Sequence, residues 1–523
     1  MVSDGMGPAS LSLTRSFRQY VDDLPIDDTL TLDRHFWGTS RTRSSSKLVT
    51  DSAAGATAFS CGKKSYNGAI SMLPDFTPCG TVLEAAKQAG YMTGLVVTTE
   101  VTDATPACFA SHVYLREQED EIALQEIGEG VLGRSVDLIL GGGRCRFLPN
   151  TTVGSCREDD VDVTALAQKK HGWSYVDNRA GFDAMRGGKN VSFPALGLFA
   201  SMDIPFEVDR RNMADVYPSL SEMAKTALQA LSDATKDSEK GFFLMIEGSR
   251  IDHAGHANDP AAQVHEVLEF DKTFQSVLDF IEESDVEGVL VSTSDHETGG
   301  LVTAWRMYPL PISNSMSAGI GISHLTLDCI ESSLKPLPVY NWYPAVLARA
   351  NASAERLAHL LRQYLRDTPT TTVEALKGWI NTQLLVKHLG ITNALDSELA
   401  DLATIPSNLT WHFSRLISRR AHIGWTTHGH SAVDVNIYSS GGPGTEKIRG
   451  NVENTEIGDF LRDYLSVDVD KVTEELQSKM DGQGVSDELR ARIEAIDNDD
   501  MWLSAQMAQE LGLEELPAIA AAV

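Results

Sequence analysis

Through the N-terminal half of the chain, short apolar runs alternate with stretches whose apolar positions recur every three or four residues. Thr93–Thr98 (TGLVVT), Val136–Leu140 (VDLIL), Gly241–Ile246 (GFFLMI) and Gly288–Thr293 (GVLVST) are near-continuous apolar runs, the pattern of strands covered on both faces. Gly80–Gln88, Leu220–Ser232, Pro260–Glu283 and Ser486–Ile496 carry the helical period instead. The last of these places Ser486 at the N-cap and Leu489, Ile493 and Ile496 on one face. Strands of this kind separated by helices predict an α/β fold, a three-layer α/β/α sandwich around a mostly parallel central sheet. Gly141-Gly142-Gly143 follows a strand but has neither GxGxxG nor P-loop spacing, so a tight turn is expected there.

The pattern breaks over residues 303–424, which are rich in Ser, Pro and Leu and lack clear buried strands. They are expected to form a crown-like inserted subdomain between a core at 1–302 and its completion at 425–464. Residues 465–523 hold 14 Asp or Glu against 4 Lys or Arg, and predict an acidic helical extension with a solvated surface. Internal repeats are not evident.

Composition narrows the function. The 523 residues are 42% hydrophobic and 22% charged, enough for a large core, and the formal net charge is −29. Such a field disfavours nucleic acid and anionic membranes as partners. It also repels phosphate esters, so a phosphate site here requires local cations. No run reaches the roughly 18 apolar residues that a membrane-spanning helix needs, and the first residues lack a signal-peptide pattern. The six cysteines form no CxxC motif. Cys145 and Cys156 flank a short loop-like segment and are candidates for a disulfide. Sequons at Asn150, Asn190, Asn351 and Asn408 lean weakly toward a secretory compartment.

Candidate chemistry gathers at strand ends. Asp4 lies in VSDGMG, Glu247 in FFLMIEGSRIDHAGH, and Asp295-His296 in VLVSTSDHETGG. Ligands collect at the carboxyl ends of strands in open α/β sheets. One carboxylate there is commonly a helix cap; three, two of them with histidines nearby, point to metal binding. Asp252 and His256 are four apart, so one helical turn aims both at one ion, and mixed Asp/His ligation suits zinc. Asp295 and His296 are candidates for a second ion, and Glu247 offers a hard oxygen suited to magnesium. WTTHGHSAVDV adds His428 and His430, weak candidates when taken alone. Asp51-Ser52 precedes an Ala-rich segment in VTDSAAGATAFSCG. Asp and Ser are ordinary N-caps, yet Ser52 at a helix N-terminus would also present its hydroxyl to phosphate. Arg116 is a candidate clamp for two phosphate oxygens.

DGMG, VTDSAAGATA, DATPA, EGSRIDHAGH, SDHETGG and HSAVDV, in this order, resemble the signature segments of alkaline phosphatases. The similarity runs from about Asp4 to Tyr438 outside the divergent insertion, and DGMGPASLSL and HAGHANDPAAQVHEVLEFD look closest to the fungal vacuolar type. The resemblance implies hydrolysis of phosphate monoesters through a phosphoseryl intermediate, with two zinc ions and one magnesium ion. Asp252, His256 and His430 would hold the first zinc, with His428 the alternative third ligand. Asp4, Asp295 and His296 would hold the second, beside Ser52. Asp4, Thr105 and Glu247 would hold magnesium. Asp103 and His253, supported with Asp51 around the centre, occupy positions that vary within the family. A homodimer and a vacuolar or other secretory lumen are implied as well. Family members carry a full first strand before DGMG, and vacuolar forms a membrane anchor. A longer N-terminal form is therefore expected, with Asp4 poorly held in its absence. Two other readings compete. The nearer is another metal-dependent hydrolase of the same fold, a sulfatase, a phosphodiesterase or a phosphomutase: sulfatase chemistry needs C/S-x-P-x-R, which Ser52-Ala53-Ala54-Gly55 does not match, and a two-metal phosphodiesterase would not need the Thr105/Glu247 magnesium pair. A non-catalytic scaffold is disfavoured because every expected ligand and the nucleophile are present.

Overall fold

The computed structural model describes residues 1–305, 340–480 and 485–498. Its strands are β1 (Phe36–Arg41), β2 (Met92–Glu100), β3 (Leu138–Gly142), β4 (Ser174–Val176), β5 (Ala195–Leu198), β6 (Phe242–Ile246), β7 (Val291–Thr293), β8 (Glu297–Thr298), β9 (Val302–Thr303), β10 (Ile423–Gly424), β11 (His430–Ser431), β12 (Val435–Ser439) and β13 (Gly450–Glu453). β4-β5-β3-β2-β6 form one parallel sheet, and β13-β1-β12-β7 a second in which β12 runs antiparallel to both neighbours. Residues 1–3 join the two. Val2 N donates to Ile246 O at 2.8 Å and Ser3 N to Thr293 O at 3.0 Å, bridging β6 and β7 in parallel. The expected weakness at Asp4 is not found: Ser294 Oγ donates to Ser3 O at 2.6 Å and accepts from Met6 N at 3.0 Å, fastening the turn on both sides of Asp4.

The alternation along β2 explains the layers. Leu95 and Val97 face one side, with Ile139, Leu196, Val472 and Leu476. Val96 faces the other, with Leu138, Leu140, Leu231 and Phe270. Each such side chain, fully buried, contributes about 1.5–3 kcal/mol. The helices Leu220–Thr235 and Pro260–Glu283 cover the second face, and Val82–Gln88 and Val469–Met480 the first. The helix predicted from Gly80 starts at Val82 because Thr81 and Glu84 close a capping box, Glu84 N donating to Thr81 Oγ1 at 3.1 Å. The tight turn falls on Gly143, φ +89°, while Gly141 and Gly142 belong to β3.

Among the described residues of the predicted insertion, helices including Ala354–Asp367 and Leu409–Ala421 pack Leu357, Leu361, Phe413 and Ile417 into a separate cluster. Leu13, Phe17 and Val264 from core helices seal it from below. β9 and β10 pair antiparallel where the chain leaves and re-enters the core. Residues 306–339 of that region lie outside the described residues. The tail departs from the expected solvated surface. Val469, Val472 and Leu476 form an apolar stripe at helical spacing and are buried, and Ile493 packs with Tyr66, Met72 and Leu115. Residues 481–484 and 499–523 lie outside the described residues. Cys145 and Cys156 are paired, with Cα atoms 5.0 Å apart; Cys61–Cys79, which sequence reasoning did not anticipate, is a second disulfide. Cys108 is a buried free thiol, and Cys329 lies outside the described residues.

Candidate active site

Ser52 opens the helix Ser52–Cys61, all ten residues of which are buried. Small side chains allow this depth. A Cβ on Gly55 would lie 2.9 Å from Asp295 Cβ, so glycine lets the helix rest against the turn after β7. Asp51 caps the helix, accepting from Ala54 N at 3.0 Å through Oδ1 and from Gly68 N at 2.8 Å through Oδ2. The cap and the nucleophile candidate are thus adjacent residues with separate tasks. Ser52 Oγ lies 3.0 Å from His296 Nε2.

Around that hydroxyl converge residues from both ends of the chain. Asp4 follows the pairing of residues 1–3, Asp295-His296 follow β7, and Asp252 and His256 share the helix Arg250–His256. His430 opens β11. Asp252, His256 and His430 bring ligand atoms within 4.8 Å of one another, and so do Asp4, Asp252 and His296. His296 Nε2 is also 3.2 Å from Asp295 Oδ2. Asp252 therefore stands between two donor sets. Gly5, φ +73°, makes room for it: a Cβ there would sit 2.5 Å from Asp252 Cα. The His296 and His430 rings stack with centroids 3.4 Å apart. His430, rather than His428, enters the donor group; His428 Nδ1 is engaged with His256 O at 2.8 Å.

The electrostatics are lopsided. Among the described residues, no Lys or Arg forms an ion pair with Asp4, Asp252, Asp295 or Glu247. Burial, then the charges of Asp295, Asp252 and Glu247, push Asp4 well above the ordinary carboxylate range. Burial would raise Asp252 too, but His256, His430 and His296 hold it well below that range. Glu247, buried at the end of β6, is pushed up to about 8 by burial, although Ser249 Oγ donates to it at 2.6 Å. Asp4 Oδ1 and Asp295 Oδ2 are shut from solvent, with His296 Nε2 3.5 and 3.2 Å away and no lysine or arginine paired to either among the described residues. Buried oxygens left so, beside neutralisable imidazoles, fit a site built for metal cations.

Arg116 lies between Asp103, at 2.6 Å, and Asp51, at 3.8 Å. These two carboxylates aim the guanidinium beside the helix N-terminus. Asp103 also caps the helix Ala104–Ala110, accepting from Ala104 N at 2.6 Å. His253 turns to Asp203, Nδ1 to Oδ2 3.1 Å, and Asp203 is held down to about 2 against the effect of burial by Arg250 and His253. Sequence reasoning missed Asp203 and Thr298. Thr298, which donates to Asp252 Oδ1 and contacts His296 Nδ1 at 3.2 Å, sat inside the quoted SDHETGG and could have been weighed; Asp203 lies in a loop with no local signal.

The chain is similar to known alkaline phosphatases in sequence and in fold. A family model described as alkaline phosphatase matches residues 1–467. The chain is 51% identical over 492 residues to the repressible alkaline phosphatase of Saccharomyces cerevisiae, covering 90% of this chain and 82% of that protein. Among solved structures, the cold-active alkaline phosphatase of a Shewanella species superposes with a TM-score of 0.68 at 29% identity, over 89% of this chain and 98% of that one. A mutant of the TAB5 alkaline phosphatase, described with Mg bound in its M3 site, matches with a TM-score of 0.56 at 26% identity, over 89% and 96% of the two chains.

Proposed function

The chain belongs to the alkaline phosphatase family, and on that premise we propose that it hydrolyses phosphate monoesters through a phosphoseryl intermediate on Ser52. The observation that carries this reading is the Ser52 hydroxyl at a buried helix N-terminus, 3.0 Å from His296 and beside two uncompensated Asp/His donor sets. One zinc is assigned to Asp252, His256 and His430, and a second to Asp4, Asp295 and His296. Magnesium is assigned to Asp4, Thr105 and Glu247, with Asp103 at its edge. Mixed Asp/His sets favour zinc and all-oxygen sets magnesium, and magnesium is described in the TAB5 relative. When bound, these ions lower the pKa of a coordinated hydroxyl and place positive charge against the phosphoryl oxygens.

The chain's own residues supply the rest. The helix N-terminus favours the phosphate dianion at Ser52. Arg116, fixed by Asp51 and Asp103, clamps two phosphoryl oxygens and holds the ester in line with Ser52 Oγ. The Ser52 Oγ–P bond forms as the bond to the leaving alcohol breaks, and the proton given up by the Ser52 hydroxyl goes in balance to the departing alkoxide. Water then attacks the phosphoserine, releasing inorganic phosphate and returning the hydroxyl. Because recognition centres on the phosphoryl group, several leaving alcohols are accepted.

We further assign residues 303–424 to an inserted subdomain, a reading supported by the separate apolar cluster and the β9–β10 pairing at its base. The two disulfides support an oxidising lumen, vacuolar by analogy with fungal relatives. No helix among the described residues is long and apolar enough to cross a membrane. A homodimer is proposed from the resemblance alone. The test is hydrolysis of a chromogenic phosphate monoester before and after chelation. Activity restored by zinc with magnesium, and a phosphoserine trapped at Ser52 by mass spectrometry at acid pH, is the expected result. Full activity of a folded Ser52→Ala variant would overturn it.

A further inference from the structure

We propose that Arg250 is a positioning residue for the donor set Asp252, His256 and His430, and that its ion pair with Glu355 makes the grip of that set on a cation depend on the insertion. The proposal rests on the reading of those three residues as a metal site, and adds to it the element that holds two of them in place.

Asp252 and His256 share a helix, Arg250–His256, of only seven residues. Two turns are too few to hold a helix in water by its own hydrogen bonds, so the aim of both donors is set by what the helix is fastened to. Ile251 and Ala254 are buried and press it onto the core, but apolar contact is non-directional and fixes rotation and slide only weakly. Arg250 supplies directional contacts from the first position. Nη2 donates to Glu355 Oε2 at 2.7 Å and Nη1 to Ile204 O at 3.2 Å. Nε lies 3.3 Å from His253 Nδ1 and 3.5 Å from Asp203 Oδ2, and the guanidinium covers the Phe206 ring, 3.7 Å from its centroid.

The helix itself does not favour an arginine there. The side chain is 5% exposed, so its charge is taken out of water, and a cation in the first turn opposes the helix dipole. Two local rules broken at the start of a donor-bearing helix mark a residue kept for its contacts. Among the described residues no ion pair joins Arg250 to Asp252, so its effect on the donors passes through the helix.

Glu355 brings in the insertion. It stands in the first turn of the helix Ala354–Asp367, where the dipole favours a carboxylate. A second bridge lies toward the other end of the donor helix: Asp259 N donates to Ala254 O at 2.9 Å, and Asp259 Oδ2 accepts from Ala354 N at 2.7 Å. The donor helix is thus tied at two points to the start of one insertion helix. Asp295 and His296 are held differently. They follow β7 and Ser294, whose hydroxyl is bonded to Ser3 and Met6 within the core. The coupling therefore selects the first cation over the second.

The experiment titrates the zinc-loaded protein with a competing chelator and counts the ions retained by native mass spectrometry, with thermal unfolding of the fully chelated protein beside it. In Glu355→Gln, one zinc is expected to bind about tenfold more weakly, the order of effect of losing an outer-shell partner, while the other is held as in the parent. Arg250→Gln should weaken the same ion at least as much. The double variant should go no further than Arg250→Gln alone, because Glu355 acts through the arginine. The Tm of chelated Glu355→Gln should match that of the chelated parent, which separates positioning from a general loosening of the fold. Unchanged retention of both ions in Glu355→Gln overturns the proposal. So does equal weakening of both ions together with a lower chelated Tm, and so does a double variant in which the two losses add. A parent protein that retains no zinc would instead contradict the metal reading of the donor set, and this proposal with it.

Discussion

Two groups of carboxylates, one at the end of β2 and one around Ser52, are stabilised in different ways. Behind β2, Glu100 and Glu119 share one arginine: Arg146 Nε lies 3.1 Å from Glu100 and Nη2 2.7 Å from Glu119, and Thr102 Oγ1 donates to Glu119 at 2.7 Å. Around Ser52, Asp4, Asp252, Asp295 and Glu247 have histidines and hydroxyls for company and, among the described residues, no arginine or lysine in an ion pair with them. A resident arginine offsets only part of the cost in the first group: burial, then the charge of Glu119, still push Glu100 well above the ordinary carboxylate range. A cluster that must hold exchangeable cations has to leave that charge out, and the folded protein carries the resulting repulsion until ions arrive.

The comparison is tested most severely by activity. Ser52→Ala removes the proposed nucleophile but leaves the Asp51 cap and the donor sets in place, so kcat is expected to fall on the order of 10⁴-fold. Bound metal, read by mass spectrometry of the native protein, should stay the same, and stability should move by no more than about 0.5 kcal/mol. Chelation should abolish activity equally while lowering Tm, because ions that bind only the folded state stabilise it. A chelated protein with unchanged Tm would remove the distinction between the clusters.

Arg146→Met comes next in size. It leaves Glu100 and Glu119 buried and unmatched, and is expected to cost about 3–5 kcal/mol in urea unfolding. The Asp4 and Asp295 sets should retain their metal in the surviving folded fraction. Loss of metal in step with stability would show the two clusters to be one cooperative unit.

How much of this was legible before the fold was known depended on how local each signal is. β2, β3, β6 and β7 announced themselves because both of their faces are buried, which leaves an apolar run in the chain. β1, FWGTSR, which carries no continuous apolar run, and the three-residue β4 did not; β1 is set by pairing to the distant β12 and β4 by pairing to β5. The donor residues were legible because Asp and His at strand ends are hard to explain as packing. Which histidine of His428 and His430 joins them depended on β11 pairing with β8, a long-range event. Asp203 reaches His253 from a loop, and nothing in its flanking residues marks it.

A third solution sits where the core meets the insertion, and it should show a pH signature. Asp209 accepts from Ser353 N at 3.1 Å and Asp259 from Ala354 N at 2.7 Å, so helix N-terminal amides stand in for a cation. They do so incompletely: burial, aided by Glu355 and Asp259, still pushes Asp209 up to about 7. Since the folded pKa exceeds the ordinary one, the unfolded chain releases this proton first. The contribution is then most favourable below about pH 4, declines between about pH 4 and 7, and stays low above that. Asp209→Asn should therefore be more stable than the parent by about 2 kcal/mol at pH 9, with the difference vanishing near pH 4. A pH-independent difference would show that the amides compensate the charge in full.

The smallest expected effect is the sharpest, because its sign must reverse with metal. In chelated protein at pH 8, Asp4 is a buried carboxylate crowded by Asp295 and Asp252, with burial the larger penalty on its ionised form. Its folded pKa is raised, so stability is lost as pH rises through that value, and Asp4→Asn removes the loss. The variant should gain about 1 kcal/mol over the chelated parent in urea unfolding. With zinc and magnesium restored, the same substitution takes away a charged ligand, so the parent should become the more stable of the two and the variant inactive. Asparagine preserves the shape of the turn and its bonds to Ser294, so neither change can be assigned to lost packing. A variant less stable than the parent in both conditions would mean that the carboxylate is held by the protein itself, as Glu119 is by Arg146, and not kept open for a cation.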